Sequence, residues 1–317
     1  MKKNLLTVNI ITYNHSEYIK DCIESILSQK TNFEFIVRIF DDCSTDGTQD
    51  ICRKYKEKYP DKIELHLSDT NLGESNGVLV NALRSYNNIE TPYYIFIEGD
   101  DFRINENGFQ RQIDVLEQNP NCVFSAGKFY THFNNKLDPP GPCLKEGIYS
   151  KADFINNPQY IMFTHLSARI VRTKYISIDP EYPTRYLNDI KQMYTLIEKG
   201  DFYLCEQAYS AYRITNRGIS TGRPVFERTA EYLNILIDIN LYTDNKFNLN
   251  LFNYFVSTVN WYLYQENIKF SNPIKTNNMI PNKLKAIKHY LLPPLLIDLF
   301  NIPRDIIRKI RKYMGNK

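Results

Sequence analysis

The 317-residue sequence carries almost no net charge: 39 Lys and Arg stand against 36 Asp and Glu, a formal +3. That balance argues against binding nucleic acid through a broadly basic surface. The sequence also lacks any C-x-x-C pair. Its six cysteines, at 22, 43, 52, 122, 143 and 205, have no histidine at metal-finger spacing, so neither a zinc finger nor a disulfide-stapled scaffold is expected. Free, mostly buried thiols in a reducing cytosol fit this pattern. Long apolar runs are missing too. A spanning helix needs about 20 apolar residues, and the longest candidate, 290–300, contains Pro293, Pro294 and Asp298. The stretch after Met1-Lys2-Lys3 is broken by Thr7, Asn9 and Thr12 with no small-residue cleavage site, so it reads as a first strand and not as a signal peptide. No repeat at a fixed period is visible. A cytoplasmic protein, soluble or peripheral on the membrane, is expected.

What is present is unevenly spread. Between Lys283 and Lys317 nine Lys/Arg face two acids, a net +7, which leaves −4 on the rest of the chain. With 43% hydrophobic residues the chain can build a substantial core. Short apolar runs at 5–11, 34–40, 62–67, 93–98 and 122–126 predict strands, and 16–29, 46–58, 74–87 and 108–118 have helical spacing. Asp46-Gly47-Thr48 supplies a start for the second helix. Strict alternation predicts an α/β fold built on a doubly wound, mostly parallel sheet with flanking helices. Beyond 130 the pattern loosens: 131–150 reads as a loop, 150–157 and 187–199 as helices, and 166–172, 201–205 and 208–214 as strands. From 225 to about 270 two packed helices are expected.

Ligands of such sheets bind at the carboxyl ends of the strands. Those ends read Thr12-Tyr13-Asn14-His15, Asp41-Asp42-Cys43-Ser44-Thr45-Asp46-Gly47, Asn71-Leu72-Gly73 and Glu98-Gly99-Asp100-Asp101. All four are polar and two carry adjacent carboxylates. Singly, such acids serve as caps and turn formers. Gathered at one rim they repel one another unless a cation intervenes, and hard oxygen donors suit Mg²⁺ or Mn²⁺.

These segments resemble the family 2 glycosyltransferases of the GT-A fold: V-N-I-I-T-Y-N-H (8–15) with S-I-L-S-Q (25–29), F-D-D-C-S-T-D-G-T (40–48), N-L-G (71–73) and I-E-G-D-D-F (97–102), the last resembling a bacterial branch with an E-G-D-D metal motif. The likeness is strong over 5–130, weaker over 160–222 and absent beyond. It implies an inverting, metal-dependent transferase that moves a sugar from a UDP- or dTDP-sugar to a glycan acceptor, lipid-linked and destined for a surface polysaccharide. By position, Thr12 and Tyr13 line the nucleobase pocket, with Asn14 and Asn71 beside the nucleotide, and Asp42 accepts the imino proton of uracil or thymine. Glu98 and Asp100 take the two places of the family's D-x-D, with Asp100 as the ligand of Mn²⁺ or Mg²⁺. Asp101 is a further ligand or a partner of one. Asn188-Asp189 resembles the family's acidic pair and makes Asp189 the general base. Its alternative is a helix cap. Tyr212-Arg213-Ile214-Thr215 resembles Y-R-x-H, which makes Arg213 a diphosphate clamp and leaves Thr215 where a histidine is usual. His165, in Thr164-His165-Leu166-Ser167, faces the acceptor.

Three parts are therefore expected: a catalytic domain over 1–222, a helical extension over 223–282 and a basic amphipathic tail over 283–317. On a helical wheel Ile306, Ile307, Ile310, Tyr313 and Met314 fall on one side, with Arg304, Arg308, Lys309, Arg311 and Lys312 opposite. Such a stripe suits an anionic membrane surface, the catalytic domain, or a second copy in a homo-oligomer. Two rival functions remain. A sugar nucleotidyltransferase shares the acidic site but wants a Gly-rich, basic loop after the first strand, where Thr12-Tyr13-Asn14-His15 stands. A non-catalytic scaffold in glycan assembly has Thr215 alone in its favour.

Overall fold

The structure is a computed structural model of the chain that describes residues 3–71, 81, 84–139, 145–156, 165–176, 189–215 and 239. The chain divides into two compact units, one of residues 1–154 and 159–222, the other of 155–158 and 223–317. The predicted helices beyond 223, the basic tail, Cys143, Asn188 and most of the predicted helix at 74–87 lie outside the described residues.

In the first unit the strands are β1 (Asn4–Thr12), β2 (Glu34–Asp41), β3 (Ile63–Leu67), β4 (Tyr93–Glu98), β5 (Phe102–Arg103), β6 (Cys122–Phe133), β7 (Lys136–Asp138), β8 (Gly147–Tyr149), β9 (Arg169–Arg172) and β10 (Asp201–Arg213). The helices are α1 (Ile19–Leu27), α2 (Thr48–Lys58), α3 (Gly108–Gln118), α4 (Lys151–Asn156) and α5 (Asp189–Ile197). One sheet runs in the order β3-β2-β1-β4-β9-β6-β10-β5, with β7 beside β6 and β8 beside β10. The half from β3 to β4 is parallel. β9 enters antiparallel to both β4 and β6, and β6 and β10 are again parallel. The carboxyl ends of β1, β2 and β4 thus form one rim.

The central strands are buried on both faces: Leu6, Val8, Ile10, Val37, Ile39, Ile95 and Ile97 are all 0% exposed. On their other faces Thr7, Asn9 and Arg38 are buried as well, as parallel strands covered by helices on both sides require. On α1 the buried positions Ile19, Cys22, Ile23 and Ile26 repeat at helical spacing and lie in the same core. Cys22, Cys52, Cys122 and Cys205 are buried and unpaired, and Cys43 is partly exposed and unpaired. Burial, followed by repulsion from Asp41, pushes the Cys52 thiol up to about 12, so it stays protonated at neutral pH.

Three local expectations need correction. The stretch 131–150 is not one loop, because β6 continues to Phe133, turns through Asn134 and Asn135 in the left-handed region, and returns as β7, while β8 pairs with β10. The two strands predicted at 201–205 and 208–214 are one strand, β10, whose register against β6 shifts between Leu204 and Ala208 and again before Ser210. The exposed Glu206-Gln207 pair, between those two ranges, lies at an irregular bend in the continuing strand. At 166–172 the first three residues form a 3₁₀ turn, Leu166–Ala168, ahead of β9.

Gly127 in β6 lies under the β10 bend. A Cβ there would come within 2.2 Å of Tyr209 Cδ2 and 2.8 Å of the Gln207 carbonyl oxygen. Tyr209 is fully buried, so its ring has little room to yield. Gly127→Ala is expected to destabilise the protein by about 1–3 kcal/mol, read as a lower urea midpoint at unchanged denaturant slope.

A carboxylate-lined rim at the strand ends

The rim is assembled by short polar contacts between the segments that leave β1 and β2. Asn14, held at φ 54°, donates its backbone N–H to Ser44 Oγ at 2.8 Å, and its Oδ1 accepts from the Thr45 N–H at 2.9 Å. His15 N–H donates to Thr48 Oγ1 and Ser16 N–H to Asp46 Oδ2, each at 2.9 Å. Asp41, fully buried, accepts from Ser44 N–H, Ser44 Oγ and Gln49 Nε2. Asn14, Asp41 and Asp46 therefore hold the loop, and Asp42, 6% exposed, is carried between them with its N–H on the Thr12 carbonyl at 3.1 Å. Thr12 is buried, Tyr13 is 41% exposed and Asn71 is exposed.

The Glu98–Asp101 turn presses against β1. Gly99 N–H donates to Ile11 O at 2.8 Å, and a Cβ on Gly99 would meet Thr12 Oγ1 and His15 Nδ1 at 2.8 Å each, so only glycine permits this approach. Asp100 follows, with His15 Nε2 4.0 Å from its Oδ2. Asp101 turns inward and is 0% exposed. Its Oδ2 accepts from Ser167 Oγ at 2.5 Å and its Oδ1 from the Arg213 N–H at 3.0 Å. Burial first, and then the Asp100 charge, hold its pKa well above the ordinary carboxylate range.

His165 sits where the 3₁₀ turn begins. Its Nδ1 accepts from the Ser167 N–H and lies 3.5 Å from Asp101 Oδ2, and its Nε2 is 3.9 Å from Glu98 Oε2. Phe129 and Tyr212 pack on its ring at centroid distances of 5.2 and 4.8 Å. One ligand atom each from Glu98, Asp101 and His165 lie within 4.8 Å of one another. Two carboxylates and an imidazole form a donor set that fits Mn²⁺.

Arg213 ends β10 with its guanidinium against α1. Nη2 is 3.1 Å from Asp21 Oδ2, the Tyr18 and Phe102 rings flank it at 4.8 and 5.0 Å, and Nη1 is buried with no hydrogen-bond partner among the described residues. Asp189 is the first residue of α5, and its side chain lies outside the described atoms. Sequence reasoning did not single out Ser167 as Asp101's partner or His15 as Asp100's neighbour. Each stood inside a quoted motif, but nothing local marks a contact that spans 66 or 85 positions.

Comparison with known proteins establishes the class of protein to which this rim belongs. The model of "Glycosyl transferase family 2" matches residues 7–177, more than half of the chain, and the protein belongs to that family. TuaG of Bacillus subtilis (strain 168), whose name assigns it to teichuronic acid biosynthesis, is 26% identical over 231 residues, 70% of this chain and 83% of that protein. TarS of Staphylococcus aureus (strain Mu50 / ATCC 700699), a poly(ribitol-phosphate) beta-N-acetylglucosaminyltransferase, is 33% identical over 99 residues, 30% of this chain and 16% of that protein. Crystalline S. aureus TarS 1-349 with UDP-GlcNAc superposes with a TM-score of 0.60 at 16% identity, covering 98% of this chain and 88% of that one. A mannosyltransferase from Pyrobaculum calidifontis with GDP-Man and Mn²⁺ gives 0.55 at 15% identity, covering 99% and 84%. The fold is of the GT-A type.

Asp46 offers a direct probe of the rim's loop. Burial pulls its pKa up, but hydrogen bonds from Thr48 and Ser16 together outweigh it and bring the group down to about 2. A depressed carboxylate contributes stability that is present above its unfolded value and lost as pH falls toward the folded one. Asp46→Ala is expected to cost about 0.5–2 kcal/mol at neutral pH. Its melting temperature should fall less steeply than that of the native protein between about pH 4 and 2, as thermal unfolding in a pH series would show.

Proposed function

We propose that the protein is an inverting, divalent-metal-dependent transferase that moves a sugar from a UDP- or dTDP-sugar to a hydroxyl of a lipid-linked cell-wall glycan. The observation that carries this reading is the cluster of Glu98, Asp101 and His165, with Asp100 in the turn after β4 and Asp42 after β2, at the strand ends where this fold family takes its donor. Thr12 and Tyr13 stand beside Asp42 as walls for a pyrimidine, with Asn14 and Asn71 on the approach. The Asp42 carboxylate accepts the N3–H of uracil or thymine, which cytosine lacks. Arg213 supplies a charged donor for the diphosphate through Nη1, the guanidinium nitrogen with no hydrogen-bond partner among the described residues.

Asp100, in the same turn as the cluster of Glu98, Asp101 and His165, would hold Mn²⁺ or Mg²⁺ beside those donors, and the bound ion would stabilise charge on the departing diphosphate. Asp101, enclosed by Ser167 and Arg213, keeps the turn that presents Asp100. Asp189 takes the proton of the acceptor hydroxyl as its oxygen forms the new bond to C1 and the bond from C1 to the diphosphate breaks. A single displacement from the opposite face inverts the anomeric centre. The wall-glycan acceptor is supported by the names of TuaG and TarS. A cytoplasmic location, peripheral on the membrane, is supported by the basic amphipathic pattern of 304–314. Among the described residues no helix is long and apolar enough to cross a membrane.

Two experiments test this reading. In thermal-shift assays UDP or dTDP with Mn²⁺ should raise the melting temperature more than ADP or CMP does. Asp189→Asn should keep that shift while transfer falls by about 10²–10⁴-fold, and a variant that loses nucleotide binding would remove Asp189 from the chemistry. For the tail, deletion of 283–317 should lower the partition of the protein onto phosphatidylglycerol vesicles. Unchanged partition would detach the tail from membrane binding.

A further inference from the structure

Gln192, in the first half of α5, makes more specific contacts than helix packing needs. Its Oε1 accepts from Arg169 Nη2 at 2.7 Å, and its Nε2 donates to Tyr86 Oη at 2.5 Å and Tyr94 Oη at 3.0 Å. Arg169 lies on β9 and Tyr94 on β4, each 1% exposed, while Tyr86 stands in the helical stretch 84–86. A guanidinium only donates, so the amide has one orientation here, with its oxygen toward Arg169 and its nitrogen toward the two phenols. Tyr86 is fixed in turn, edge-on to Tyr94 with centroids 5.7 Å apart and stacked on Phe96 at 6.2 Å. One side chain thus ties α5 to β4, β9 and the 84–86 stretch. Apolar neighbours such as Met193 and Leu196 bury the helix, but they do not fix its displacement along its axis or its rotation as directional bonds do.

We propose that Gln192 is a positioning residue for transfer: its bonds to Arg169, Tyr86 and Tyr94 set the register of the first turn of α5, and with it the place of Asp189 three residues earlier. The inference rests on the reading of Asp189 as general base. A base held about 1 Å out of place costs on the order of 10²-fold in rate while leaving a donor site on other elements intact. Thr12, Asp42 and Asp100 all lie on the rim of β1, β2 and β4, whereas the side-chain bonds of Gln192 run to Arg169, Tyr86 and Tyr94.

The test compares Gln192→Met, Gln192→Glu and Asp189→Asn by release of the nucleoside diphosphate, UDP or dTDP, from a panel of UDP- and dTDP-sugars in the presence of acceptor. Rates are normalised to UDP-binding sites, so that only folded protein counts. Gln192→Met should lower kcat by about 10- to 100-fold with the donor KM within about twofold of native. Gln192→Glu should recover kcat to within about threefold of native, because a carboxylate still accepts from Arg169 and both phenols can turn to donate to it. A Gln192→Met enzyme with native kcat beside an inactive Asp189→Asn overturns this proposal alone. Equal loss of UDP binding and kcat in Gln192→Met, or a Gln192→Glu variant no better than Gln192→Met, overturns it as well. An active Asp189→Asn overturns the assignment of the base and the proposal together.

Discussion

The buried carboxylate of Asp101 is the constraint on which the rim depends. At 0% exposure it joins the turn after β4 to the 3₁₀ segment through Ser167 and to the end of β10 through the backbone of Arg213. An isolated ion in that place would cost several kcal/mol. Two donors offset the cost, and the raised pKa adds a tendency to hold a proton. A second layer supports the first: the buried Arg103 donates to the Ser167 carbonyl and to Gln112, whose amide donates to the carbonyls of Ser125 and Ala168. Burial draws the Arg103 guanidinium down to about 9. With its carbonyl neighbours in place, His165 is fixed opposite Glu98.

That arrangement divides work between adjacent acids. Asp100 and Asp101 are consecutive, yet one stands at the rim near His15 and the other is sealed in the core. The same division appears at β2, where Asp41 binds its own loop and Asp42 is left at the end of the strand. In each pair one carboxylate fixes the backbone that presents the other, which lets short loops hold charged groups in place without extra secondary structure.

Much of this was legible in the sequence, and the reasons are local. The 3.6-residue spacing of Ile19, Cys22, Ile23 and Ile26 and the short, mostly apolar segments of β1, β2 and β4 are properties of neighbouring residues, so α1, α3 and the parallel half of the sheet follow from them. Turn chemistry gave Gly47 and Asp46 at the start of α2. The antiparallel insertion of β9 between β4 and β6 left no such trace, because strand order depends on pairings between distant segments. The continuity of β10 is hidden for a related reason, since it is fixed by pairing with the distant β6.

The sequence by itself determined that acidic and polar residues would stand at the ends of the parallel strands, since alternation of strands and helices sends every such end to one side. It also determined the family, through motifs that are contiguous in the chain. Only the tertiary structure decided which acid faces inward, that Arg213 leans on Asp21 at 192 positions' remove, and that Gln192 spans 98 positions to Tyr94 and 106 to Tyr86. Side-chain partners so far apart meet through the path of the whole fold, and no periodicity or spacing in the chain encodes them.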